Sequence, residues 1–251
     1  MIIDTHCHMY LSECENAEEI IKECKQENIK VILNGIDKES NKQVIEISKK
    51  YDNVYAAIGY DHSTVDKISE DDMNLLEEQI KENNIIAIGE IGLDYYWVKD
   101  NKEKQKELFV KQLDLAKKYD LPIIVHSRDA VQDVYDILKD KNLRGSIHCY
   151  SGSKEMAKEF IKIGFYIGID GPITFKNNKK QRDMVKELNK DYILVETDSP
   201  YLSPEPVRGK KNTPLNLKYI INQIAEELDL TYDQVKEITT NNAVRLFDLN
   251  I

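Results

Sequence analysis

A chain of 251 residues, 41% hydrophobic and 32% charged, can bury a sizeable core and has the length of one eightfold β/α barrel. It holds no apolar run near the ~20 residues of a membrane span, and Met1-Ile2-Ile3-Asp4 lacks the basic start of a signal peptide. A formal net charge of −10 argues against a broad basic surface for gripping long nucleic acid, so any such contact is expected to be local, at an end or a single linkage. The four cysteines, Cys7, Cys14, Cys24 and Cys149, form no C-x-x-C pair. They read as reduced thiols of a cytoplasmic protein, with a Cys14–Cys24 disulfide the option in an oxidising compartment.

In chain order, eight β-rich runs alternate with helical stretches. The expected strands are Ile2–His6, Val31–Asn34, Val54–Gly59, Ile85–Glu90, Ile123–His126, Gly145–His148, Phe165–Ile169 and Ile193–Glu196. Between them, Ile20, Ile21 and Cys24 share a helical face, as do Val131, Val134, Tyr135 and Leu138. Lys176–Lys190 reads as a solvated helix and loop, and a Pro-rich loop from Pro200 to Pro214 follows the last strand. Then come a stripe of Leu217, Ile220, Ile221, Ile224 and Leu228, and an extra C-terminal helix over Thr231–Phe247. Continuous apolar strands such as Ile85-Ile86-Ala87-Ile88 suit a parallel sheet covered on both faces. Eight alternations without a linker predict an α/β fold: a single (β/α)₈ TIM-type barrel over residues 1–251 with an extra C-terminal helix. A doubly wound open sheet is the alternative.

Catalytic groups of such a barrel come from the C-terminal ends of different strands. Here the first strand ends in Asp4-Thr5-His6-Cys7-His8, the fourth in Gly89-Glu90-Ile91-Gly92-Leu93-Asp94, the fifth in His126-Ser127-Arg128 and the sixth in His148-Cys149-Tyr150-Ser151-Gly152. The eighth runs into Glu196-Thr197-Asp198-Ser199-Pro200. Strand alternation turns His6 and His8 to one face, roughly 6.6 Å apart along the strand, where two imidazoles can close on one ion. Any one histidine alone is more often structural, but four of the chain's five at strand ends point jointly to metal ligation. The fifth, His62, is open between a loop residue and a participant. Four neutral imidazoles with Glu90 and Asp198 leave two divalent ions a net positive charge, suited to attracting a phosphate and activating a water. Glu90 is the natural bridge between ions, and Asp198 a ligand that also accepts the water's proton. Imidazole-rich ligation suits Zn²⁺, Mn²⁺ or similar ions, with Mg²⁺ possible in the cell.

These five blocks, in order along nearly the whole chain, resemble the signature blocks of TatD-type metal-dependent deoxyribonucleases of the amidohydrolase superfamily. The resemblance implies a (β/α)₈ barrel with two divalent ions: His6, His8 and Asp198 on one, His126 and His148 on the other, Glu90 on both. It also implies hydrolysis of phosphodiester bonds in DNA, often from the 3′ end. Two stretches depart from the family pattern. Asp61 stands where the Gly-x-His-Pro block has its histidine, and Thr213 where a glutamate is usual before Pro214.

Arg128 and Arg208 are the candidates for clamping phosphate, with Lys210 and Lys211 beside the latter, because guanidinium offers paired donors to two oxygens. A structural ion pair is the competing role. Tyr95 and Tyr96 are packing residues that could also stack on a base. Alternation turns Cys7 and Cys149 away from the ligands, as buried thiols. The expected partner is a DNA end or short nucleic acid, with no membrane and no obligate protein partner. The same constellation could cleave an ester or amide, such as an aminoacyl-tRNA ester, or serve a non-catalytic metal-stabilised module; the spare carboxylate of Asp198 speaks against the latter.

Overall fold

The computed structural model describes residues 1–97 and 100–251. Its eight strands are β1 (Ile2–Cys7), β2 (Ile29–Asn34), β3 (Val54–Ile58), β4 (Ile85–Asp94), β5 (Ile123–Arg128), β6 (Gly145–Ile147), β7 (Phe165–Ile169) and β8 (Ile193–Val195). They pair in parallel in chain order, forming a nearly closed barrel. At the mouth, the last gap is joined by two backbone hydrogen bonds: the Asp198 amide donates to the His6 carbonyl (3.0 Å) and the His8 amide to the Ser199 carbonyl (2.7 Å). The doubly wound open sheet is thereby set aside.

Helices fill the connections: α1 (Ala17–Gln26), α2 (Lys38–Lys50), α3 (Glu70–Glu82), α4 (Lys102–Tyr119), α5 (Val131–Leu138), α6 (Lys154–Lys162), α7 (Lys179–Glu187) and α8 (Leu217–Leu228). Local chemistry sets several of their ends. Asp37 with Ser40 and Ser69 with Asp72 form capping boxes at the starts of α2 and α3, and Ser153 caps α6. None of these helices is long and apolar enough to cross a membrane. Their apolar faces cover the outside of the sheet, where Cys7, Val31, Leu33, Ile88 and Val125 join the main core.

A second apolar cluster lies inside the barrel at its base, built from Ile3, Ile32, Ala57, Ala87, Ile124, Tyr166 and Leu194. The extra helix α9 (Tyr232–Phe247), opened by a Thr231/Gln234 capping box, plugs it with Ala243, Leu246 and Phe247. Asn242 fastens the plug to β8 by donating to the Ile193 carbonyl (2.8 Å). The open end is therefore the C-terminal mouth.

Strand ends differ from the sequence expectation in instructive places. β4 continues four residues past Glu90, because its pairing with β5 shifts between Ile88 and Ile91 and resumes with Gly92, Leu93 and Asp94 opposite His126, Ser127 and Arg128. Gly92 makes this possible: it sits at φ +143°, and a Cβ there would lie 2.1 Å from the His126 carbonyl oxygen. β6 and β8 each stop one residue early, as the chain turns through Cys149 (φ +46°) and Asp198 (φ +53°).

Because α9 seals the base, Phe247→Ala is expected to cost about 3–5 kcal/mol of stability, the usual penalty for emptying a buried aromatic site. Urea denaturation followed by circular dichroism measures it, and a loss under 1 kcal/mol would contradict the plug.

Candidate metal centre

His6 lies on β1 and His8 one residue past its end, and both turn to one group. Their Nε2 atoms approach to 3.1 Å. Glu90 Oε2 lies 3.4 Å from His6 Nε2 and 3.3 Å from His8 Nε2, and Asp198 Oδ1 lies 3.5 Å from both. A second group forms across β4, β5 and the end of β6. His126 Nδ1 and His148 Nε2 are 3.1 Å apart, each 2.9 Å from Glu90 Oε1. One oxygen of Glu90 thus faces each group.

These separations fit a metal. Atoms about 2.0–2.1 Å from one ion in a tetrahedral array lie roughly 3.3 Å from one another. The hydrogen-bond pattern also favours a cation. His8 Nδ1 lies 2.9 Å from the Asn34 carbonyl, an acceptor only, which keeps a proton on Nδ1 and turns Nε2 inward. Protons on His6 Nε2 and His8 Nε2 can each point at only one carboxylate, and they set two cationic rings against each other at 3.1 Å. A divalent ion serves all four at once. His126 is oriented in the same way: its Nε2 is 3.0 Å from Asp94 Oδ2, leaving Nδ1 for the second group.

The electrostatics carry the same signature. Burial pulls the His6 imidazole down, but Asp198 and Glu90 outweigh it and push it up to about 9. Burial likewise opposes a charged His126, while Asp94 and Glu90 push it up to about 10. His148, buried against a charged His6, falls to about 4. Burial would raise the Glu90 and Asp198 carboxyls, yet the imidazoles around them hold both well below the carboxylate range. These groups are therefore matched for a cation, which displaces their protons on binding.

Beneath the ligands, the β1/β8 seam is laced by side chains. Asp4 accepts from the Thr197 amide (3.0 Å) and hydroxyl (2.5 Å). Glu196 accepts from the Cys149 amide (2.5 Å) and the Thr5 hydroxyl (3.2 Å). It occupies space that a side chain at Gly168 would fill, since a Cβ there would meet both carboxylate oxygens at 2.5 Å. Burial keeps Glu196 up at about 8.

The mouth is a cavity of about 600 Å³, within the range of ordinary ligand clefts. Seven of the eight residues singled out from the sequence gather here: His6, His8, Glu90, His126, His148 and Asp198 in the two groups, and Arg128 on the wall. Arg208 does not. Its guanidinium lies over the Phe175 ring (4.2 Å) and 3.7 Å from Glu205 Oε1, lining a separate surface depression. Lys210 and Lys211 do not line the mouth either. Cys7 is buried under the helices as expected. Cys149 departs from expectation: its positive φ takes it out of strand alternation, and it is half-buried at the cavity wall. All four cysteines are unpaired, Cys14 and Cys24 included.

Two residues join the site that the sequence reading left out or left open. Asp94 is one, four residues beyond Glu90 on the same extended strand, where the two-residue period puts both on one face. The other is His62, whose ring stacks on His126 (centroids 5.0 Å apart) with Nε2 3.7 Å from Asp94 Oδ2. Asp61 caps the turn that carries it, accepting from the Ser63 amide (2.9 Å).

A parallel eight-stranded barrel whose mouth joins imidazoles and carboxylates into clusters able to hold metal is the architecture of a metal-dependent hydrolase. The model of the TatD-related DNase family matches residues 3–248. YabD of Bacillus subtilis, described as a metal-dependent hydrolase, is 42% identical over 255 residues, spanning 100% of both chains. A metal-dependent hydrolase of Methanocaldococcus jannaschii is 38% identical over 250 residues, 98% of this chain and 96% of its own. The crystal structure of YjjV, a TatD homologue from Escherichia coli, matches with a TM-score of 0.93 at 30% identity, covering 99% of this chain and 98% of that one. The chain belongs to the TatD family.

Two outcomes are expected of the metal centre. With His6 and His126 raised to about 9 and 10, both are protonated in the metal-free protein at neutral pH. Metal affinity should therefore rise with pH from 6 to 9, with proton release on binding; calorimetry in buffers of different ionisation enthalpy reads the protons. PH-independent affinity would contradict the assignment. Asp94→Ala, which frees His126 Nε2, should weaken metal binding about 10–100-fold, measured by competition with a chelator.

Proposed function

We propose that the protein is a deoxyribonuclease that hydrolyses phosphodiester bonds at strand ends or in short nucleic acid. It would work with two divalent ions, Zn²⁺, Mn²⁺ or similar, with Mg²⁺ usable in the cell. The observation that carries the reading is the division of Glu90 between the two groups, one oxygen each at 2.9–3.4 Å from the imidazole nitrogens. His6, His8 and Asp198 would hold one ion, His126 and His148 the other, and Glu90 both. Bound ions of this kind polarise a phosphate and make a water more acidic.

The chain's own residues divide the remaining work. Asp198 sits at the rim of its group with its side chain 15% exposed, the most open of the carboxylates in the two groups, so it can take the proton of the attacking water. Its carboxyl stays ionised through the neutral range, as a base must. Arg128 offers its guanidinium to the phosphate, steadied over the Tyr96 ring at 3.8 Å. Among the described residues that line the mouth, it is the only Lys or Arg. Among the described residues of the mouth, positive charge would thus come from the metal centre and one side chain, on a protein of net charge −10. Long duplex offers many phosphates that this surface cannot neutralise, which supports action at ends. The unpaired thiols support a cytoplasmic setting.

Incubating the metal-loaded protein with end-labelled single strands, linear duplex and closed circles tests the reading. Cleavage of linear single strands, abolished by exhaustive chelation, is expected; efficient cutting of closed circles would refute end action, and activity confined to esters or amides would refute the nuclease. Asp198→Asn should lower kcat by about 10²–10⁴ with a smaller change in KM. Near-normal turnover at full metal loading would show that the base lies elsewhere.

A further inference from the structure

The mouth carries more exposed aromatic surface than a metal centre requires. Trp97 is 68% exposed, Tyr96 48% and Tyr201 50%, and Leu202 is also exposed. Trp97, Tyr201 and Leu202 line the same cavity as the two ligand groups. They come from opposite sides of it. Trp97 follows β4, whereas Tyr201 and Leu202 follow β8, half-way round an eight-stranded barrel.

Each side is built against one ligand group. The Tyr201 ring centroid lies 6.3 Å from that of His8, and its hydroxyl donates to Glu13, which holds the ring upright. On the far side, Asp94 links ligand and aromatic directly. Its Oδ2 orients His126, while its Oδ1 accepts from the Tyr96 amide (2.8 Å) and the Trp97 amide (3.1 Å). The Tyr96 and Trp97 rings meet edge to face at 4.9 Å, and the Arg128 guanidinium lies over both, 3.8 and 5.3 Å from their centroids. One carboxylate thus ties a metal-capable imidazole to the backbone that carries an exposed indole.

We propose that these are two nucleobase-stacking shelves flanking the reaction centre: Trp97, backed by Tyr96 and Arg128, takes the base on one side of the scissile phosphate, and Tyr201 with Leu202 the base on the other. The proposal rests on the nuclease reading and narrows it to substrates whose bases are unstacked, namely single-stranded ends. Stacking on aromatic faces is tolerant of sequence and strong enough to replace phosphate contacts. That is what a mouth with one described guanidinium and a strongly acidic chain lacks. A paired base presents its edges and not its faces, so duplex gains nothing from the shelves.

The chain contains one tryptophan, so its fluorescence reports on Trp97 alone. The metal-loaded protein is titrated with a hydrolysis-resistant trideoxyadenylate, with the same trimer lacking its bases, and with inorganic phosphate. Saturable quenching by the base-bearing trimer alone is expected. Trp97→Ala should weaken its binding roughly tenfold, read by anisotropy of a labelled trimer, with Trp97→Phe restoring most of it. Tyr201→Ala should produce a loss of the same order and leave the Trp97 quench in place. Equal binding of base-bearing and abasic trimers, with DNA hydrolysis intact, would overturn the shelves and leave the nuclease standing. Failure to bind or cleave any nucleotide would overturn both.

Discussion

Four buried atoms, His6 Nε2, His8 Nε2, Glu90 Oε2 and Asp198 Oδ1, lie 3.1–3.5 Å apart in their closest pairs, and without a cation the two carboxylates draw protons onto both imidazoles. Holding these groups this close inside a protein is costly, because burial opposes their charge and the two protonated imidazoles repel each other. The fold must therefore hold them in place until a cation does. It does so at the β1/β8 seam, where the backbone of the ligand His6 accepts from the backbone of the ligand Asp198. Asp4 and Thr197 lock the same joint from below, so the metal site and the closure of the barrel are one construction.

Burial beneath the site has a further consequence. Asp4 and Asp170 are both raised to about 7 by desolvation, and Glu196 to about 8. Around neutral pH these carboxyls bind protons more readily than exposed acids do, so they add little negative charge beneath the ligands. Glu90 and Asp198, surrounded by imidazoles, remain the charged pair. The centre separates two kinds of carboxyl within a few residues: Glu196 supports a loop, and Asp198, two positions on, faces His6 and His8. A turn at Asp198 with φ +53° makes the difference, since it carries the side chain out of the strand and over the mouth.

Much of this was legible before any coordinates. Eight apolar runs alternating with helical stretches mark the strands, and motifs at their ends mark the residues that cluster at the mouth, because a strand has a fixed period and a barrel a fixed functional end. What escaped has physical reasons. Asp94 was masked by ending the fourth strand at Glu90, although period-two alternation carried two steps further reaches it. His62 lies on a capped turn, where no periodicity applies. Cys149 follows a strand whose alternation is broken by its own positive φ. Arg208 follows the eighth strand in sequence, yet its loop folds it onto Phe175, away from the mouth. The role of α9 as a plug depends on which end of the barrel it meets, which helical spacing cannot encode.

The two ends of the barrel therefore answer opposite demands. At the base, Ile3, Ile32, Ile124 and Leu194 close on Phe247 without a charge among them, and this core stabilises the fold whatever the mouth contains. At the mouth, stability is given up for chemistry: like groups are packed together and aromatic rings are left in water. Surface ion pairs such as Lys118 with Glu77 offset little of this, since exposed pairs contribute about 0–1 kcal/mol each. The chain carries a net charge of −10, and beyond roughly 10 Å that field is screened by salt. Toward a polyanion the net charge is repulsive, and the cavity is the place where cations could collect between Glu90 and Asp198. On the proposed nuclease reading, selectivity for a single-stranded end would rest on this local charge together with the two stacking shelves.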